Sequence, residues 1–139
     1  MAEQLIHLDD TLLLGVAELD RDHQKLVEVT NFLLGALLDP RASPMSRDRA
    51  LHDLYTFSEH HFRREERLMS AHNYPGTVEH RAVHRQLLTR FRELDQQFAD
   101  GQTPSEAMGR FIRNWLVEHI QRNDMNFVGF LRKQGILDA

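Results

Sequence analysis

Histidines at 80 and 84, a histidine at 61 with a glutamate at 65, a single histidine at 23, and a histidine at 119 followed by an aspartate at 124 are the side chains with chemistry to offer. Imidazole nitrogens and carboxylate oxygens suit iron, zinc or manganese, and two carboxylates can bridge two cations. A spacing of four is close to one helical turn, so each such pair stacks on one helix face, about 40° apart. Taken singly these pairs are weak signals, because nine histidines and 21 acidic residues in 139 positions produce some of them by coincidence. The weight lies in the combination, and judging it requires placing the elements that carry these residues.

Strand signals are scarce and helical periodicity dominates. Punctuation falls at "DPRASPMS" (39–46), "NYPG" (73–76) and "DGQTP" (100–104). In the last, Gly101 reads as a helix stop and Thr103-Pro104 as an N-cap followed by proline at the first helical position. Four helical segments remain, at 19–38, 46–72, 76–100 and 103–123. An N-terminal arm (1–18) precedes them and a short amphipathic tail helix (125–134) follows. The expected fold is all-α, a single domain over 1–139 built as an antiparallel up-down four-helix bundle.

The apolar stripe of each segment shows which face turns inward. The first runs Leu19, His23, Leu26, Thr30, Leu33, Leu37, and the second Leu51, Leu54, Ser58, His61, Glu65, Leu68. The third runs His80, His84, Leu87, Phe91, Leu94, Phe98, and the fourth Met108, Ile112, Trp115, His119. Spacings alternate three and four, the seam of a packed bundle. Six polar residues interrupt these seams where packing asks for leucine. A buried glutamate is costly unless it is paired or metal-bound, and no lysine or arginine shares the stripes. A bound cation meets all of these demands together.

This resolves the run "HHFRREE" (60–66). His61 and Glu65 lie on the stripe of Leu51, Leu54 and Ser58, whereas His60 and Glu66 do not. With Arg63, Arg64 and Arg67 these two are expected on a solvated rim. Asp124 stands five residues beyond His119, about 140° away on an ideal helix. It reaches the same site only if the helix loosens or breaks between them. His7, His52, His60 and His72 have no partner at ligand spacing on a seam, and His72 reads as a helix-end residue. Met69 and Met108 read as core fillers, and Trp115 as core with a second role in a pocket wall.

The totals exclude several classes. No cysteine is present, so disulfides, thiolate metal sites and cysteine nucleophiles are absent. A net charge of −4 argues against a nucleic-acid surface. The runs "LLLGVA" and "FLLGALL" are too short to span a bilayer. "MAEQLIHLDD" lacks a basic n-region and a sustained apolar stretch, so no signal peptide is expected and the expected location is cytoplasmic.

The pattern resembles the hemerythrin family, specifically its single-domain bacterial members. The matching features are "LDRDHQKL" around His23, "HFRREERLM" around His61 and Glu65, the following "NYP", His80 with His84, and "WLVEHIQRND" with Trp115, His119 and Asp124. They span residues 12 to 130, and all seven of the family's ligand positions are filled in order and at the family's spacings. Many bacterial members carry a tryptophan in the N-terminal arm where this chain reads Ile6-His7-Leu8.

The resemblance implies a non-heme di-iron centre, two Fe ions (Fe2+/Fe3+) with a bridging oxo or hydroxo group. His80, His84 and His119 would hold one iron and His23 and His61 the other, with Glu65 and Asp124 bridging. The odd number of histidines then leaves one open position, on the two-histidine metal. The expected surroundings are apolar: Leu26, Phe62, Trp115, Leu116 and Ile120. Such a wall suits a small diatomic and offers no acid, base or organic-cofactor pocket for substrate chemistry.

The implied function is reversible dioxygen binding for storage, delivery or buffering, with no enzyme activity. The expected species is a monomer, with dioxygen as ligand and room for an unidentified O2-recipient protein. Alternatives are a sensor of O2, NO or redox state and, ranked lower because such sites are glutamate-rich, a di-iron peroxidase or ferroxidase.

Overall fold

The apolar stripes become inward helix faces in the computed structural model, which describes residues 16–102, 104–119 and 124–135. Four long helices, α1 (Ala17–Leu38), α2 (Pro44–Ala71), α3 (Thr77–Ala99) and α4 (Ser105–Glu118), precede a shorter α5 (Met125–Lys133). Helix α1 packs against α2 and α4, and α3 packs against the same two, so the long helices close a ring. Short connections between sequential neighbours make them antiparallel, giving a four-helix bundle. Among the described residues there is no strand, and no helix is long and apolar enough to cross a membrane.

Local chemistry sets the helix ends. Helix α2 starts at Pro44, two residues before the expected 46. Ser43 accepts from the Ser46 N–H at 3.1 Å, and proline at the first helical position sacrifices no hydrogen bond there. The second proline of an apparent linker therefore opens a helix. At the other end of α2, Asn73 adopts φ 55, and the Tyr74 N–H returns to the Met69 carbonyl at 2.9 Å. Asparagine is one of the few side chains that tolerates this left-handed step. Gly101, at φ 77, stops α3 as expected.

Helix α4 differs from its expected 103–123 span at both ends. Pro104 is extended, with ψ 156, so it precedes the helix and Ser105 is the first helical residue. Thr103, expected as the cap, lies outside the described residues, as does the N-terminal arm up to residue 15. The early finish at Glu118 bears on the site below.

Along the bundle axis the interior has two zones. One is hydrocarbon: Leu33, Leu37, Leu51, Leu54, Phe91, Met108 and Ile112 are all buried. The other holds His23, His61, Glu65, His80, His84, His119 and Asp124, equally buried. Helix α5 lies beside the second zone, where Tyr74 of the α2–α3 turn packs against Phe127 and Phe130 with ring centroids 5.1 Å apart.

Candidate metal centre

Helical periodicity delivers six of the seven polar side chains to the bundle interior. The seventh, Asp124, arrives by a break in that periodicity. His119 and Asp124 both have π-helical backbone, between the end of α4 at Glu118 and the start of α5 at Met125. The departure from α-helical geometry demanded by the spacing of five is therefore present at both of these residues, and the Asp124 carboxylate is fully buried. A π turn adds a residue per turn and re-aims the side chains beyond it.

The two carboxylates each divide their oxygens between two groups of histidines. Glu65 Oε1 lies 2.5 Å from His80 Nε2, 3.1 Å from His84 Nε2 and 3.8 Å from His119 Nε2. Its Oε2 lies 3.2 Å from His61 Nε2. Asp124 Oδ1 lies 3.2 Å from His119 Nε2 and 3.4 Å from His80 Nε2. Its Oδ2 lies 2.9 Å from His23 Nε2 and 3.8 Å from His61 Nε2. Two donor sets result: Glu65, His80, His84, His119 and Asp124, and His23, His61, Glu65 and Asp124. Within each set the ligand atoms lie within 4.8 Å of one another.

Protons alone leave this cluster unsatisfied. His61 Nε2, Glu65 Oε2 and Asp124 Oδ1 are buried without a well-aligned hydrogen bond, although His61 and Glu65 are close. The Nε2 atoms of His84 and His119 face each other at 3.2 Å. Buried polar atoms left in this state cost free energy. Cations placed among the inward-facing nitrogens and split carboxylates would satisfy His61 Nε2, Glu65 Oε2 and Asp124 Oδ1, so the donor set fits two metal ions.

Electrostatics agrees. Burial pulls the His119 imidazole down, but Asp124, through its charge and a hydrogen bond, and then Glu65 outweigh it and hold His119 at about 9. Burial likewise opposes charging His61 and His80, and the Asp124 and Glu65 carboxylates, joined for His61 by Asp22, raise both. Glu65 is pushed up by burial and by Asp124, yet the hydrogen bonds of His119, His61 and His80 bring it well below the usual carboxylate range. Asp124 is pushed up by burial, and His119, His23 and His61 bring it well below that range too. Without metal, protons on the imidazoles stand where cations would balance the carboxylates.

Of the residues expected in an apolar wall, Phe62 stacks on the His84 ring, 3.9 Å between centroids and 4° between planes, and meets His119 edge-on at 5.0 Å. Trp115 lies 6.0 Å from Phe62 and donates from Nε1 to the Leu87 carbonyl at 3.1 Å. Leu26 and Leu116 are buried in the same core. Ile120 and His7 lie outside the described residues. His52 and His60 are exposed, and His72 caps the end of α2. Met69 and Met108 are buried in the core.

Three neighbours of the cluster escape a reading of the sequence. Glu66, expected on a solvated rim, is only 22% exposed and lies 2.8 Å from His84 Nδ1. Arg64, expected on the same rim, reaches across to α1, where its Nη1 donates to Asp22 at 2.6 Å. Asp22 is buried, and its other oxygen lies 3.0 Å from His61 Nδ1. Both carboxylates sit one position off a stripe, beside His23 and Glu65, so periodicity ranks them as surface. Contact with a neighbouring helix decides otherwise, and an acidic residue directly beside a polar stripe position was the one available hint.

The model of the hemerythrin HHE cation binding domain matches residues 14–131. Over 123 residues the chain is 25% identical to a bacteriohemerythrin of Stenotrophomonas maltophilia, covering 88% of this chain and 79% of that one. It is 31% identical over 123 residues to a hemerythrin-like protein of Naegleria gruberi, covering 88% and 91%. The crystal structure of a wild-type hemerythrin shares the fold with a TM-score of 0.78 at 23% identity, covering 90% of this chain and 96% of that one. By the extent of the matched domain, this chain belongs to the hemerythrin family.

Proposed function

We propose that the chain holds two iron ions and binds dioxygen reversibly, serving storage, delivery or buffering rather than catalysis. One observation carries the reading. Each of the two buried carboxylates turns one oxygen to a three-histidine group and the other to a two-histidine group. That is the donor layout for a bridged pair of metals with unequal coordination. A ferrous pair, when bound, supplies the electrons that reversible dioxygen binding requires.

The chain's own residues do the rest. Glu65 and Asp124 would bridge, His80, His84 and His119 would complete one metal, and His23 and His61 would leave a place free on the other. Phe62, whose ring centroid also lies 5.9 Å from that of His61, would help to screen that place from water, and Leu26, Trp115, Leu116 and Ile120 are assigned to the same wall. Substrate turnover would need an acid or base at the open side, and none is assigned there. A role in sensing uses the same site, and differs only in what the loaded protein signals to.

The test is direct. Load the protein anaerobically with ferrous iron, count the metal, admit air, and record visible absorption before and after degassing. Two irons per chain and a band that comes and goes with oxygen support the proposal. A band that bleaches irreversibly while added peroxide is consumed points instead to a peroxidase.

A further inference from the structure

The inward nitrogens of the cluster are Nε2, which leaves each Nδ1 facing away. Two of these outer atoms meet carboxylates, and each carboxylate is held in turn by an arginine. On the two-histidine side Arg64 Nη1 donates to Asp22 Oδ1 at 2.6 Å, and Asp22 Oδ2 lies 3.0 Å from His61 Nδ1. On the three-histidine side Arg81 Nε pairs with Glu66 Oε1 at 3.3 Å, and Glu66 Oε2 lies 2.8 Å from His84 Nδ1. Each chain crosses between helices. Asp22 of α1 takes both partners from α2, and Glu66 of α2 takes both from α3. Both start at a half-exposed arginine and end inside. The buried Nδ1 of His23 has no such partner among the described residues.

We propose that Asp22 and Glu66 are positioning residues of the metal centre, and that Arg64 and Arg81 set how much of their charge reaches it. A carboxylate accepting the Nδ1 proton fixes the tautomer with Nε2 free for metal, locks the ring, and makes the imidazole a stronger donor. The arginine draws charge in the opposite direction. One such chain serves each metal. The Asp22 chain is the tighter one, because Asp22 is nearly inaccessible and Arg64 donates to it in good hydrogen-bond geometry. The Arg81–Glu66 contact is an ion pair without that alignment, and Arg81 also donates to Ser70. Asp22 is also the more buried of the two carboxylates, so its charge is less screened by water and its removal has the larger effect. This inference rests on the di-iron reading above.

The experiment measures iron(II) affinity by chelator competition and the midpoint potential of the iron-loaded protein. Asp22→Ala and Glu66→Ala are expected to weaken iron binding by about 10- to 100-fold. Asp22→Asn and Glu66→Gln keep an acceptor but lose the charge, and are expected to recover much of that affinity while the potential rises. Arg64→Gln and Arg81→Gln free the carboxylate charge and are expected to lower the potential. Arg63→Gln, whose exposed arginine pairs with Glu59, is the control and is expected to leave the potential unchanged.

The opposite signs for carboxylate and arginine variants are the decisive result, since loss of scaffolding alone moves both the same way. If a wild-type protein that takes up two irons gives the potential and affinity of every variant unchanged, or shifts them all in one direction, the positioning role is wrong and the di-iron reading stands. If the wild type takes up no iron, the di-iron reading itself fails.

Discussion

At one end of the ring, Leu33, Leu37, Leu54, Phe91, Met108 and Ile112 fill the interior. At the other, His23, His61, Glu65, His84 and His119 fill seam positions at similar burial, joined by Asp124 from the break after α4. Helices α1, α2 and α3 supply residues to both zones, whereas α4 ends at Glu118, one residue before His119. Stabilisation differs in kind. The hydrocarbon end gains from removing apolar surface from water, about 25 cal/mol for each Å2, and needs no partner. The polar end removes charge and dipoles from water and recovers that cost only through pairing, by protons in the metal-free state and by cations in the loaded one. Equal burial thus hides unequal dependence on solution conditions, and the two ends are separable by experiment.

The largest expected effect is at the polar end. Glu65→Gln removes charge from a carboxylate that faces both histidine groups, and at least half of the iron should be lost, counted by metal analysis of protein loaded anaerobically. Full retention of both irons by this variant would contradict a bridging role.

Next comes the hydrocarbon end. Leu54 is fully buried, and Leu54→Ala should cost about 2–5 kcal/mol. Its melting temperature should fall on the order of 10 °C, with iron content unchanged. A concurrent loss of iron would show that the two zones are mechanically coupled.

Proton and metal should then pull apart. In the metal-free protein the folded pKa of His119 is raised from 6.5 to about 9. Its stabilisation is complete below pH 6.5 and lost as pH rises through about 9. His61 and His80 shift in the same direction. Glu65 and Asp124, held low, act in the reverse sense: their contribution is present above the ordinary carboxylate range and lost as pH falls through their folded values. Melting temperature of the metal-free protein should therefore decline between pH 6.5 and about 9. Iron(II) affinity should rise over the same window, because metal displaces protons from imidazole. A flat melting profile would show that protons do not balance the buried carboxylates.

The smallest effect is at the boundary. Trp115 lies 5.7 Å from Phe91 on one side and 6.0 Å from Phe62 on the other. Trp115→Phe loses the hydrogen bond to the Leu87 carbonyl, worth about 1 kcal/mol, and should leave the iron count intact. Loss of metal from this variant would place the boundary inside the site.

Much of this is legible in the chain alone. The stripes identify His61 over His60 and Glu65 over Glu66, and both chosen residues are buried at the cluster. The spacing of five between His119 and Asp124 requires the loosened backbone that is present at both residues. The failures share one cause. Glu66 is misjudged, Asp22 is passed over, and the reach of the exposed Arg64 goes unread, because their partners belong to α3, α2 and α1 respectively. A helix wheel carries no information about what stands opposite its edge.

The sequence by itself determined which residues share a helix face, because each step around a helix is a fixed rotation of about 100° set by backbone hydrogen bonding. Fold class and the polar interruption of the seams follow from that local rule. Only the tertiary structure decided that imidazole nitrogens and carboxylate oxygens from separate helices meet within 4.8 Å, and that Asp22 and Glu66 stand behind His61 and His84. Those facts depend on the axial register between helices, which is set by interlocking side chains and turns acting together and is encoded in no single stretch of the chain.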